Sequence, residues 1–196
     1  MGKHPYSHLE EVASLDDEIM RFVAAHRTPA LTTIAQAVET AGDSRQVLWL
    51  LGAAGLAVVV ALHAWRVGLA AVAALFTASL AADRLKDIVQ RPRPDAGLAM
   101  LPIDGWAMPS GHAARVAAVS LAVLVAAGWT ASGQRRTQAL ALAWTVGVVN
   151  VVIGACMVYL GAHWPTDVLA GWALGAGVGW AAGRLARVRA RARTPG

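Results

Sequence analysis

Three short stretches, far apart in the chain, hold residue types that work together on an anion. The first is Lys86-Asp-Ile-Val-Gln-Arg-Pro-Arg93-Pro94. Pro92 and Pro94 end any helix there and predict an extended turn, which can bring Lys86 and Arg93 to one point. A compact ammonium beside a planar guanidinium fork suits a phosphate group; a juxtamembrane anchor for lipid headgroups would use the same residues. The second is Pro109-Ser110-Gly111-His112. Ser110 is a good helix N-cap, and Gly111 lets backbone come close to a ligand. The free N–H groups of the first turn make an anion site, and His112 can hand a proton to a leaving oxygen. An ordinary cap with a chance histidine would look alike. The third is His163-Trp-Pro-Thr-Asp167. His163 and Asp167 share one face of a helical turn that Pro165 can open. An aspartate that accepts from one ring nitrogen leaves the other free to attack; a capping aspartate beside an interfacial histidine is the plainer alternative. Together the three supply a charge clamp, an anion nest with an acid, and a nucleophile with its orienter, the parts of phosphoryl transfer.

The elements that must carry these residues are apolar. Of 196 residues 57% are hydrophobic and 15% charged. Long runs cover 46–65, 67–82, 113–129, 138–160 and 168–182. With their ends counted, each suits a hydrocarbon core of ~30 Å. They are apolar all round, where a soluble bundle would show polar stripes. The chain therefore reads as all-α, a polytopic transmembrane bundle of five to six spans. Residues 1–45 are expected to form an interfacial segment, 46–183 the transmembrane core and 184–196 a basic cytosolic tail. In the first segment Ser14 with Asp17 resembles a capping box opening a helix over 15–25, and Pro29 opens another over 29–40. The second is about 18 Å long at 1.5 Å per residue, too short to cross alone, so it is predicted to lie at the interface or against the bundle. The first fifteen residues lack the apolar core of a signal peptide.

The formal charge of +5 comes mainly from arginine, with Arg184, Arg187, Arg189, Arg191 and Arg193 in the tail. Arg66, Arg135, Arg136 and that tail fall on one side by crossing parity, which the positive-inside rule makes cytosolic. All three anion-handling stretches then face outward, and Lys86, Arg91 and Arg93 sit there against the rule. A membrane flank accounts for the arginines without nucleic acid. Cys156 is the sole cysteine, which leaves no intrachain disulfide. No metal cluster is evident and no cofactor is expected.

These residues resemble the type-2 phosphatidic acid phosphatase superfamily, the lipid phosphate phosphatases related to vanadium haloperoxidases. That family carries Lys-x6-Arg-Pro, Pro-Ser-Gly-His and Ser-Arg-x5-His-x3-Asp. Lys86 to Pro94 matches the first and Pro109 to His112 the second, and the likeness covers roughly 46–182. The resemblance implies a metal-independent phosphatase. Lys86, Arg93, Ser110 and Gly111 would hold phosphate, and His163 would attack it to form a phosphohistidine. Asp167 would orient His163, and His112 would protonate the leaving group and then activate water. The third motif departs: Cys156 and Met157 stand where the family has Ser-Arg. One lost donor of this kind commonly costs ~10²–10³ in rate. Arg115, one turn past His112, is a candidate substitute, although a helix–helix contact would explain it too; Arg91 is a weaker candidate.

A membrane lipid phosphate is the implied substrate, hydrolysed at the extracytoplasmic face of a plasma (inner) membrane. The alternative is a non-catalytic relative that binds phospholipid or polyprenyl phosphate headgroups. A transporter would want charges at mid-membrane. Gly171, Gly175, Gly179 and Gly183 form a small-residue stripe, suited to packing within the chain or to a homodimer face. Asn150 is placed for an interhelical hydrogen bond, and Trp65, Trp106, Trp129 and Trp164 for the interfaces.

Overall fold

The structure, a computed structural model, describes residues 7–101, 104–127 and 134–191. Lys3, Trp129 and Arg193 lie outside them, as do the side chains of Arg45, Arg135, Arg136, Arg189 and Arg191. The described elements are all helices: α1 (Ser7–Ala25), α2 (Pro29–Asp43), α3 (Arg45–Ala61), α4 (Trp65–Val89), α5 (Gly111–Ala126), α6 (Gln134–Tyr159) and α7 (Pro165–Arg191). By length and composition, Trp65–Val89 and Leu140–Tyr159 are long and apolar enough to cross a membrane, and α5 is a shorter apolar helix. The distribution of side chains carries the same message. Many large apolar groups point outward, with Phe76 68% and Trp144 75% exposed, while most of the buried apolar residues are alanine. Water would oppose that inversion, and lipid does not, since helices in a bilayer associate through small residues that let backbones approach.

The core is a seam of three helices. On α4, Ala70, Ala74, Ala78 and Ala82 are buried at every fourth position, and the first three of them cluster with Ala118 and Ala122 of α5. From the other side α7 lays its glycine stripe along α5. A Cβ at Gly175 would run into the carbonyl of Ala114, one at Gly179 into that of Ala118, and one at Gly171 would stand 2.5 Å from that of Ser110. The stripe is thus occupied within the chain, which corrects its reading as a homodimer face: no room remains there for a second copy.

The N-terminal helices differ from expectation in their limits. Ser14 does not cap a helix; it lies inside α1, and its hydroxyl donates to the Glu11 carbonyl at 2.8 Å. The described helix already runs from Ser7, eight residues ahead of the expected start at Leu15, with Val12, Leu15, Ile19 and Phe22 along its exposed apolar face. Thr28 caps α2, with Pro29 in its first turn, and α2 runs to Asp43. Both helices pack against the bundle, α1 on α6 and α7 and α2 on α6 and α3. Arg27 ties them down: Nε donates to the Tyr159 carbonyl at 2.9 Å and Nη2 to that of Leu98 at 2.6 Å. At the other end, the boundary expected after Gly183 falls inside α7, which continues without a break to Arg191.

Candidate active site

Lys86 stands on the last turn of α4. Gln90 ends that helix in the left-handed conformation (φ 50°), its N–H returning to the Lys86 carbonyl. Arg91 to Asp95 then run without helix, as the two prolines require. This turn carries Arg93 back over the end of the bundle. There its Nη1 donates to the Ala162 carbonyl at 2.6 Å and its Nε to that of Gly105 at 3.1 Å. Gly161 makes the tight corner after α6 possible. Its φ is +72°, and a Cβ would strike the Leu98 carbonyl, so only glycine fits. Ser110 caps α5, and its N–H donates to the Asp167 carbonyl at 2.9 Å, tying the mouths of α5 and α7 together.

Lys86, Arg93, Gly111, His112 and His163 converge on one cavity of about 310 Å³. Residues from four separate elements thus meet as their spacing predicts. Met157, 2% exposed, is in the cavity wall where an arginine is missing. Arg115 lines the same cavity, and a Cβ placed on Gly111 would lie 3.8 Å from Lys86 Nζ and 3.9 Å from Arg115 Nη1. Two cations therefore flank the backbone of the anion nest. Ser110 and Asp167 are fully buried behind the wall, and the Ser110 hydroxyl makes neither a cap bond nor any other among the described residues.

His163 is 4% exposed. Burial holds its pKa below the ordinary value; the Asp167 carboxylate opposes the shift, and Arg93 and Lys86 reinforce it. The shift favours the neutral ring over the charged one. Its Nδ1 lies 3.6 Å from Asp167 Oδ2, an ion-pair distance beyond hydrogen-bond reach. At that separation Asp167 reaches the ring through its charge. The Arg93 guanidinium is also shifted downward by burial, with Asp167 and Asp104 opposing.

Arg91 is not a substitute cation for the missing arginine. Its Nη1 donates to Asp167 Oδ1 at 2.8 Å and to the Thr166 hydroxyl at 2.6 Å, and its Nη2 to Asp16 Oδ2 at 2.6 Å. A guanidinium held between two carboxylates is not free to meet a phosphate. Nothing local in the chain points to Asp16, which lies 75 positions away from Arg91. Nor does anything local mark Glu39, Asp83 and Asp104 as part of the cavity lining. Single carboxylates in helices are usually solvated, and no short motif contains these.

Comparison with known proteins agrees with this geometry. The family model described as the PAP2 superfamily matches residues 63–191. Phosphatidylglycerophosphatase B of Bacillus subtilis (strain 168) is 28% identical over 170 residues, covering 86% of this chain and 81% of its own. Undecaprenyl-diphosphatase of Sulfolobus acidocaldarius is 33% identical over 72 residues, only 36% of this chain and 29% of its own. Among solved structures, a transmembrane PAP2-type phosphatidylglycerolphosphate phosphatase from Bacillus subtilis superposes with a TM-score of 0.75 at 25% identity, covering 94% of this chain and 88% of that one. LpxE of Aquifex aeolicus shares the fold at a TM-score of 0.63 and 22% identity, over 89% of this chain and 95% of its own.

Proposed function

The chain belongs to the PAP2 superfamily, and from that premise we propose that it is an integral-membrane phosphatase that hydrolyses a lipid phosphate or polyprenyl diphosphate through a phosphohistidine. The observation that carries this reading is the convergence of Lys86, Arg93, Gly111, His112 and His163 on one cavity. In the first step His163 Nε2 attacks phosphorus. The P–N bond forms as the P–O bond to the leaving group breaks, and His112 gives that oxygen a proton. In the second, water gives its proton to His112 and attacks phosphorus, the P–N bond breaks and phosphate leaves. Lys86, Arg93 and the N–H groups at the start of α5, capped by Ser110, stabilise the charge on the transferring group. Phosphatidylglycerol phosphate, phosphatidic acid and polyprenyl diphosphate all present that group at a headgroup plane. Loop charges support five to six spans, a plasma-membrane location, a site on the extracytoplasmic face and a cytosolic C-terminus.

Met157 raises a second reading, a headgroup-binding protein without turnover. The position of Arg115 favours catalysis, because its guanidinium flanks the Gly111 nest beside Lys86 and can do the work of the absent arginine. Phosphate release from a panel of those three lipids tests both ideas. Wild type is expected to be active and vanadate-sensitive, and His163→Ala inactive. Arg115→Ala is expected to lose ~10²–10³-fold in kcat, and Met157→Arg in that background to regain part of it. Equal activity of Arg115→Ala and wild type removes Arg115 from the mechanism. Wild type as silent as His163→Ala across the panel sinks the enzyme reading and leaves binding.

A further inference from the structure

Asp16 is 1% exposed in the middle of α1, a helix whose outer face is apolar. A carboxylate so deeply buried has to be paired several times over, and this one is. Its Oδ2 accepts from Arg91 Nη2 at 2.6 Å and meets the Thr166 hydroxyl, while Oδ1 accepts from the Thr166 N–H at 3.1 Å. Thr166 lies in the first turn of α7, so Asp16 accepts from another helix one of the N–H groups that this terminus leaves without an intrahelical partner. The same guanidinium that Asp16 holds reaches Asp167 Oδ1 with its other arm and stacks 5.3 Å from the centre of the Trp164 ring. Asp167 Oδ2 accepts from the Trp164 N–H at 2.9 Å and faces His163 Nδ1. Asp16, Arg91, Thr166 and Asp167 thus form one connected set of hydrogen bonds that ends 3.6 Å from the His163 ring.

We propose that Asp16 is a positioning residue for His163, acting through Arg91 and Thr166 on Asp167; this rests on the phosphohistidine reading above. With Asp16 in place, Arg91 is shared between two carboxylates and gives Asp167 a single arm. Without it, the freed arm can swing to Asp167 as a two-pronged pair. That turns the carboxylate away from His163 and cancels its charge at the moment the ring becomes cationic. The N-terminal helix on this account helps to position the nucleophile, docked through the buried Asp16.

A double-mutant cycle on the full-length protein in lipid vesicles tests this, with Asp16→Asn, Asp167→Asn and the pair. Turnover and the rate of phosphohistidine formation are read together. Asp16→Asn is expected to lower kcat about 10- to 100-fold, as loss of an outer hydrogen-bonding partner does, with KM within twofold. In the Asp167→Asn background the same change is expected to cost nothing more, because its route is already cut. A merely structural Asp16 would lower the melting temperature and add its effect in both backgrounds. Wild-type kcat in folded Asp16→Asn, or the same fold loss in both backgrounds, overturns the proposal. If Asp16→Asn does not fold, Arg91→Lys replaces it in the cycle under the same criteria, since one ammonium cannot bridge both carboxylates as the fork does. A wild type no more active than His163→Ala overturns the phosphatase reading, and the positioning role falls with it.

Discussion

The seam between α5 and α7 and the cavity at its end are made from the same helices by opposite means. Along the seam the partners are Ala and Gly, and backbone lies against backbone. Beside His163 the partners are polar and charged groups crossing long stretches of chain, 75 residues from Arg91 to Thr166 and 150 from Asp16 to Thr166. The seam leaves no room for an added atom but has no charge to lose. The cavity has space to spare and depends on every charge around it. A membrane helix bundle has little hydrophobic drive between its own helices, so close packing must supply the rigid frame against which a polar site is aligned.

The largest effect is expected where that contrast is sharpest, at two glycines of one helix. Gly175→Ala drives a methyl into the Ala114 carbonyl, whereas a Cβ at Gly177 meets nothing within 4 Å. Gly175→Ala should cost about 3 kcal/mol of stability, and Gly177→Ala should be neutral or gain up to about 1 kcal/mol from helix propensity. Thermal unfolding of the two variants in one detergent decides. If both melt alike, the seam is not the frame.

The next effect belongs to the cavity and is read by pH. His163 must be neutral to attack, and burial lowers its pKa. The acid limb of kcat/KM is therefore expected below the ordinary value of about 6.5. The sign for stability follows from the same shift. As pH falls through about 6.5 the unfolded chain takes up this proton before the folded one, so His163 makes the protein less stable on the acid side of that window. Profiles on a monophosphate and a diphosphate lipid separate the enzyme's limb from titration of the substrate. A limb above pH 7 on both would mean that the Asp167 charge outweighs burial.

Regularity explains which of these features the sequence reveals. The glycine stripe on α7 shows as a period, and two of the three phosphate motifs match without a gap, so the convergence of Lys86, Gly111, His112 and His163 could be foreseen. Helix interiors were legible for the same reason, and ends were not. Ser14 and Asp17 have the composition of a cap, yet the described helix already runs from Ser7, eight residues before Leu15, because a cap-forming residue type is equally compatible with an exposed helix interior, where Ser14 bonds the Glu11 carbonyl instead. Arg91 shows a deeper limit. Its neighbours Pro92 and Arg93 mark it as one more cation near a phosphate, and nothing local tells that Asp16 and Asp167 hold it. Pairing across such distances is a property of the assembled bundle. Arg115 is intermediate: its helical spacing from His112 puts it near the nest, and only packing shows that its guanidinium arrives beside Lys86.

The smallest effect probes whether a polar group matters wherever it is buried or only at the cavity. Asn150 on α6 donates through Nδ2 to the Ser120 hydroxyl on α5 at 3.2 Å and to the Val146 carbonyl at 2.9 Å. Its Oδ1 is buried with no partner. Asn150→Leu gives up an interhelical hydrogen bond of a kind averaging about 0.6 kcal/mol, but it also removes an unsatisfied acceptor, which offsets part of that loss. The net change in stability should stay under about 0.6 kcal/mol, with phosphate release unaltered, in a denaturant titration run beside the lipid assay. A loss of 2 kcal/mol or more, or a fall in turnover, would place a second polar dependence in the middle of the bundle and break the division between a frame that needs no charge and a site that needs each one.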